Sequence, residues 1–271
     1  MSAARVTVIA EIGENHLGNM DMARRMIEEA AQAGADVVKF QSYRGADVRD
    51  DDPEREWFQQ VELSDAAHRD LKAHAEGHGV EFLSSPFSLE RARFLRETLG
   101  LTKIKVASSE MLNLALLDYL NDRAEVVFLS TGMATLDEVR TAVARLARVK
   151  TVAILHCVTQ YPTEDHEANL RAIGTLAAAF PEHPIGYSDH TLGIDAAVAA
   201  VTLGAAVIEK HFTLAKTLPG TDHVVSTTPE ELAEMVRRIR RVEVLLGRSE
   251  KTPVPREAAI RDAVRGRWSR T

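Results

Sequence analysis

The strongest constraint on the fold is an alternation repeated eight times. Short, β-branched, nearly all-apolar runs give way each time to segments rich in Ala, Arg, Glu and Leu, with apolar residues three and four apart. The runs are residues 6–13, 35–43, 81–87, 103–110, 125–132, 151–161, 184–191 and 205–213. Runs without polar alternation suit parallel strands, whose two faces are both buried under helices or core. The last two show the unit plainly: PIGYSDHT, the Ala-rich TLGIDAAVAAVTLG, then AAVIEKHFT. Strand, helix, strand makes the two strands parallel. Eight such units in about 250 residues is the count of an α/β protein of the (β/α)8 TIM-barrel type. A doubly wound open sheet is the alternative, but it rarely carries so many evenly spaced units.

Local signals punctuate the runs. Gly34 reads as a helix stop, and Ser64, Ser88 and Thr135 read as helix N-caps. Residues 44–63 form a longer polar loop with one helical turn, of the kind that makes a rim or lid. A last helix spans 229–247, which sets a barrel domain of 1–247. The tail, 248–271, breaks the pattern with two prolines and several arginines. It reads as a linker or a short helix.

Charge and cysteine usage narrow the function classes. The formal charge of −7 over 271 residues, with no basic stripe before the tail, argues against nucleic acid as the main partner. No apolar run approaches the roughly 20 residues that span a bilayer. The N-terminus lacks the longer apolar stretch and cleavage site of a signal peptide. Cys157 is the single cysteine, so an intrachain disulfide is excluded and a reducing cytoplasm is expected.

The residues that end the apolar runs carry the chemistry. In a parallel barrel the C-terminal strand ends share one face, where the active site sits. Glu11, Lys39, Gln41, Ser85, Lys105, Ser108, Glu110, Thr159, Tyr161, Ser188, His190 and His211 all stand at such ends. His190 and His211 close consecutive runs, with Asp189 and Asp222 near them, so two imidazoles could share one divalent metal. A lone strand-end His is more often a structural hydrogen-bonding residue, and the pairing is what raises the metal reading. Lys39 and Lys105 beside Ser85 and Ser108 suit a phosphate; the alternative is that each lysine pairs with a carboxylate. Glu11 and Glu110 either move protons and orient hydroxyls or serve as those partners. Cys157 reads as an inert buried thiol. Tyr161 reads as pocket lining, and His68, His74, His78 and His166 as surface residues.

Taken together, AEIGENHLGN, VVKFQSY, FLSSPFS, IKVASSEMLN, FLSTGM, ILHCVTQYPT, IGYSDHTLG and IEKHFTLAKTLPGTDH resemble the N-acetylneuraminate (sialic acid) synthase family, from about residue 6 to 247. The resemblance implies a TIM barrel that condenses phosphoenolpyruvate with an aldose-type aldehyde and releases phosphate. The products it implies are 2-keto-3-deoxy acids of the nonulosonic type. It implies a divalent metal, manganese before magnesium or cobalt, on His190 and His211. It assigns phosphoenolpyruvate to Lys39, Ser85, Lys105, Ser108, Thr159 and Ser188, and the sugar and chemistry to Glu11, Gln41, Glu110, Tyr161 and Asp222. Two positions depart from the family's usual residues, Thr159 for Asn and Phe40 for His. Family members usually continue into a domain resembling antifreeze protein, which reaches into the neighbouring subunit's site. This chain ends at RDAVRGRWSRT, so the resemblance implies a homodimer, where one forms, without that exchange, and a sugar other than N-acetylmannosamine. Two other readings stay open: a catalytically silent barrel that binds a sugar phosphate or a partner, and a synthase that uses phosphorylated sugars, of the 3-deoxy-octulosonate 8-phosphate type.

Overall fold

The computed structural model describes residues 5–265 and 267–268. Eight strands form one parallel sheet: β1 (Thr7–Gly13), β2 (Val37–Ser42), β3 (Glu81–Pro86), β4 (Lys103–Val106), β5 (Val126–Ser130), β6 (Thr151–Cys157), β7 (Ile185–Asp189) and β8 (Val207–His211). Their order is β3-β2-β1-β8-β7-β6-β5-β4. The end strands β3 and β4 lie against each other without a hydrogen-bonded ladder among the described residues. The sheet is thus a nearly closed barrel, and the TIM-barrel expectation holds. Among the described residues ten α-helices accompany it: α1 (Met20–Gln32), α2 (Arg55–Val61), α3 (Asp65–Gly77), α4 (Leu89–Arg93), α5 (Leu114–Asn121), α6 (Leu136–Arg145), α7 (Ala172–Ala179), α8 (Asp195–Thr202), α9 (Pro229–Leu246) and α10 (Pro255–Val264).

The period of two along each strand sorts the residues. Ile9, Val37, Leu83, Phe128, Leu155 and Val207 fill the barrel interior as an apolar layer. Two positions further along the same faces stand Glu11, Lys39, Ser85, Ser130, Cys157 and Glu209, which line a cavity above that layer. The opposite faces, such as Val8, Val38, Ile104, Val127, Ile154 and Ile208, pack beneath the helices. Gly186 sits level with Leu155 and Val207. A Cβ there would come within 2.7 Å of the Val207 carbonyl oxygen and 3.1 Å of Leu155 Cγ. Only glycine lets β7 close the apolar layer at that point.

The helix signals are borne out. Gly34 follows α1 with φ +89°, a conformation glycine adopts without strain. Ser64 and Ser88 accept from Ala67 N and Arg91 N, and Thr135 forms a capping box with Glu138.

Four details differ. β4 stops at Val106, and residues 108–110 form a 3-10 turn rather than continuing the strand. β6 stops at Cys157, so Thr159 and Tyr161 lie in the loop beyond it. The 44–63 stretch carries a 3-10 turn at Gly45–Asp47 as well as α2. His68 is fully buried, not on the surface. It shares the inner stripe of α3 with Leu71 and Ala75, donates Nδ1–H to Ser64 O, and meets Phe82 and Phe94 edge to face. α10, in the tail, buries none of its residues.

Candidate active site

The C-terminal strand ends enclose a cavity of about 550 Å³. Every residue predicted for the site lines it except Glu110. The 3-10 turn after β4 carries Ser108 and Ser109 to the wall, while the Glu110 carboxylate accepts from Asn113 Nδ2 at 2.8 Å. The carboxylate that accompanies Glu11 on the cavity floor is Glu209, two positions before His211 on the same face of β8. The signal for Glu209 was that spacing of two, which decides facing once His211 is taken as inward.

Four buried ionic groups form the floor. Lys39 Nζ lies 2.7 Å from Glu11 Oε2 and 3.8 Å from Glu209 Oε2, and donates to Ser85 Oγ at 3.2 Å. Lys105 Nζ is 3.6 Å from Glu209 Oε1, which also accepts from Ser188 Oγ at 3.0 Å. Each lysine has a carboxylate partner, and Lys39 has a serine hydroxyl beside it as well. Burial pushes the Glu11 carboxyl up to about 7, outweighing the pull of Lys39. Burial acts on Glu209 too, but Lys105 and Lys39 together overcome it and hold that group down to about 2. Two carboxyls 2% and 4% exposed are thus shifted in opposite directions, Glu11 by burial and Glu209 by its two lysines. Ser130 Oγ is buried without a hydrogen-bond partner at the same level.

Ser108 and Thr159 are seated by Gly132. Gly132 N donates to Ser108 Oγ at 3.0 Å. A Cβ on Gly132 would stand 2.0 Å from Thr159 Oγ1 and 2.7 Å from Ser108 Oγ, so the two hydroxyls occupy the space a side chain would take.

The two imidazoles meet on the opposite wall. The His190 and His211 ring centroids are 5.3 Å apart, and Tyr161 lies against both, at 4.0 and 5.7 Å. His190 Nδ1–H donates to Val158 O at 2.7 Å, which fixes the orientation of its ring. Burial draws His211 down to about 4, so its ring is neutral near pH 7, with Asp222 Oδ2 3.3 Å from Nδ1. Two oriented imidazoles, one with a carboxylate beside it, fit one divalent cation. A separate group, Glu28, His74 and His78, has ligand atoms within 4.8 Å of one another. It lies on and just beyond the outer helices α1 and α3 and does not line the cavity.

Other polar residues at the strand ends face outward and are structural. Lys210 pairs with Asp189 at 2.9 Å, both wholly buried, and His156 bonds Ala168 O. Asn15 ties the loop after β1 to β8 through Phe212 O and Ser226 Oγ. Glu14, which no local signal singled out, lines the outer cavity and accepts from Trp57 Nε1 at 2.7 Å.

Comparison with known proteins agrees with this geometry. The model of the NeuB family matches residues 26–251. The chain is 40% identical to the N,N'-diacetyllegionaminic acid synthase of Campylobacter jejuni, over 90% of this chain and 78% of that protein. It is 36% identical to human N-acetylneuraminate-9-phosphate synthase, over 94% and 75%. The crystal structure of the N-acetylneuraminic acid (sialic acid) synthetase of Leptospira borgpetersenii, in complex with citrate, superposes with a TM-score of 0.91 at 36% identity, covering 96% of this chain and 91% of that one. No described helix is long and apolar enough to cross a membrane. With its nearly closed barrel, its paired lysines and its paired histidines at one mouth, the chain belongs to the NeuB family, whose members are phosphoenolpyruvate-dependent sugar acid synthases.

Proposed function

We propose that this cavity joins C3 of phosphoenolpyruvate to the aldehyde carbon of an aldose, giving a nonulosonic-type 2-keto-3-deoxy acid and inorganic phosphate. The observation that carries the reading is the convergence of Lys39, Lys105, Glu11, Glu209, His190 and His211 in one cavity. Lys39 and Lys105, with Ser85, Ser108, Thr159 and Ser188, receive the phosphate and carboxylate of phosphoenolpyruvate. In the free protein Glu11 and Glu209 hold those lysines. Arrival of the substrate exchanges one anion for another, and a Glu11 that protonates near neutrality releases Lys39 readily. A divalent ion on His190 and His211, manganese before magnesium or cobalt, would supply charge to polarise the aldehyde oxygen.

The remaining steps fall to the chain's own groups. As the C3–C bond forms, the aldehyde oxygen takes a proton, for which protonated Glu11 is the donor. The positive charge that develops at C2 faces ionised Glu209, which stabilises it and accepts the proton of the water that adds there. The tetrahedral C2 then collapses to the ketone: its hydroxyl proton passes to the departing phosphate, the C2–O bond breaks, and phosphate leaves with the bridging oxygen. On this reading Glu209 joins Glu11 in the chemistry that the resemblance gave to Glu11 and Glu110. The free thiol of Cys157 suits a reducing, cytoplasmic setting.

The test is phosphate release from phosphoenolpyruvate with manganese and a panel of aldoses. Release that requires both metal and aldehyde is expected. No release with any aldehyde, from folded and metal-loaded protein, contradicts the reading.

A further inference from the structure

Family membership leaves open whether the sugar carries a phosphate, because the similar synthases include one named for a phosphorylated product and one named for a product without it. The charges of the cavity bear on the question. Among the described residues that line it, the cations are Lys39 and Lys105, both 4% exposed or less. On the reading above, phosphoenolpyruvate's own two anionic groups occupy both.

Outward from the metal pair, the charges are of one sign. Asp222 stands beside His211 at 3.3 Å. Glu14 follows, held by Trp57, and Glu54 stands at the start of α2 at the rim. Glu14 feels both of the others: burial, with the charges of Asp222 and Glu54, pushes it up to about 7 against the Trp57 hydrogen bond. The segments that bring them together are braced. Trp57 accepts the PGTDH turn closely, since a Cβ on Gly220 would lie 3.4 Å from Trp57 Cζ2. The rest of the wall is neutral, with Gln41, Gln160 and Thr221 as hydrogen-bonding groups and Phe58, Phe87 and Met133 as apolar surface. Below the acidic stretch, Ser130 Oγ and Glu209 Oε2 are buried, point to the cavity and lack hydrogen-bond partners, as expected where a ligand completes the set.

We propose that the outer half of this cavity takes an unphosphorylated sugar chain, bearing hydroxyl or amide groups, and rejects the same sugar with a terminal phosphate ester. Hydroxyls and amides donate to Glu14, Glu54 and Asp222. A phosphate dianion at that end meets Asp222 and Glu54 and, among the described residues that line the cavity, no cation besides the two that phosphoenolpyruvate occupies; repulsion of this kind is how a site excludes a close analogue. This inference rests on the condensation reading, and its test separates the two.

The assay compares kcat/KM for matched pairs with phosphoenolpyruvate and manganese: D-arabinose with its 5-phosphate, and N-acetylmannosamine and D-mannose with their 6-phosphates. In each pair that turns over, the free sugar is expected to win by at least about tenfold, or 1.4 kcal/mol. The preference should shrink between about 20 mM and about 300 mM salt, because the repulsion is screened. The double variant Glu14→Gln/Glu54→Gln should lower it at least about threefold. An equal or higher kcat/KM for the phosphate ester overturns the inference and leaves the condensation reading intact. A preference indifferent to salt and to the double variant overturns it as well, since shape alone would then explain the result. If no member of any pair releases phosphate, the condensation reading fails and this inference with it.

Discussion

Glu11→Gln isolates the energetics of the floor. Glu11 is 2% exposed, and its carboxyl is pushed from 4.5 to about 7. A raised folded value means that Glu11 contributes most below its unfolded value and loses that contribution as pH rises through about 7. Fully developed, the loss is about 3 kcal/mol, at 1.36 kcal/mol per pH unit between 4.5 and about 7. Most of it, about 2 kcal/mol or more, falls between about pH 5 and about pH 8. Glutamine keeps the shape and does not titrate, so the wild type should lose about 2 kcal/mol or more relative to Glu11→Gln over that range. Any pH-independent effect of the substitution, such as altered packing, cancels in the slope, and the attraction of Lys39 is already contained in the raised value. The assay is urea denaturation of both proteins at a series of pH values, with a chelator present to keep metal linkage out. A stability gap that stays flat within about 0.5 kcal/mol would refute the reasoning. It would mean that Lys39, 2.7 Å away, keeps Glu11 ionised throughout. A gap that moves the other way would refute it more strongly.

Three further outcomes are expected. Gly132→Ala forces Thr159 and Ser108 out of their places, so the KM for phosphoenolpyruvate should rise about tenfold or more in initial-rate assays, with a loss of about 1–3 kcal/mol in stability. Glu209→Gln should lower kcat/KM by at least about a hundredfold, whereas Glu110→Gln, outside the cavity, should stay within about threefold of wild type. His190→Ala and His211→Ala should each weaken manganese binding at least about a hundredfold by titration calorimetry, while circular dichroism shows an unchanged fold.

The barrel was legible because its signal repeats. Eight apolar runs with helical segments between them admit few packings, and the caps at Ser64, Ser88 and Thr135 are short-range features with a direct physical cause. The site was legible where a residue type ends a strand: Lys39, Ser188, His190 and His211 all reach the cavity. Facing is harder to read where it depends on a strand's last residue. β4 ends at Val106, so Glu110 lies in the turn beyond it, and nothing in KIKVASSE marks that stop. Glu209 follows from its spacing of two to His211, while Lys210 between them faces outward to Asp189. His68 was misread because a single polar residue on a helical stripe gives way to the apolar neighbours that set its face. Glu14 had no local signal, because its place is set by Trp57, more than forty positions along the chain.

The measurement that bears most directly on the central claim is the fate of solvent oxygen during turnover in water enriched in oxygen-18. Condensation with C2–O cleavage predicts inorganic phosphate free of solvent label, formed in step with a product whose mass is that of the sugar plus pyruvate. Phosphate that carries one solvent oxygen, with the sugar recovered unchanged, would show attack at phosphorus and contradict the account.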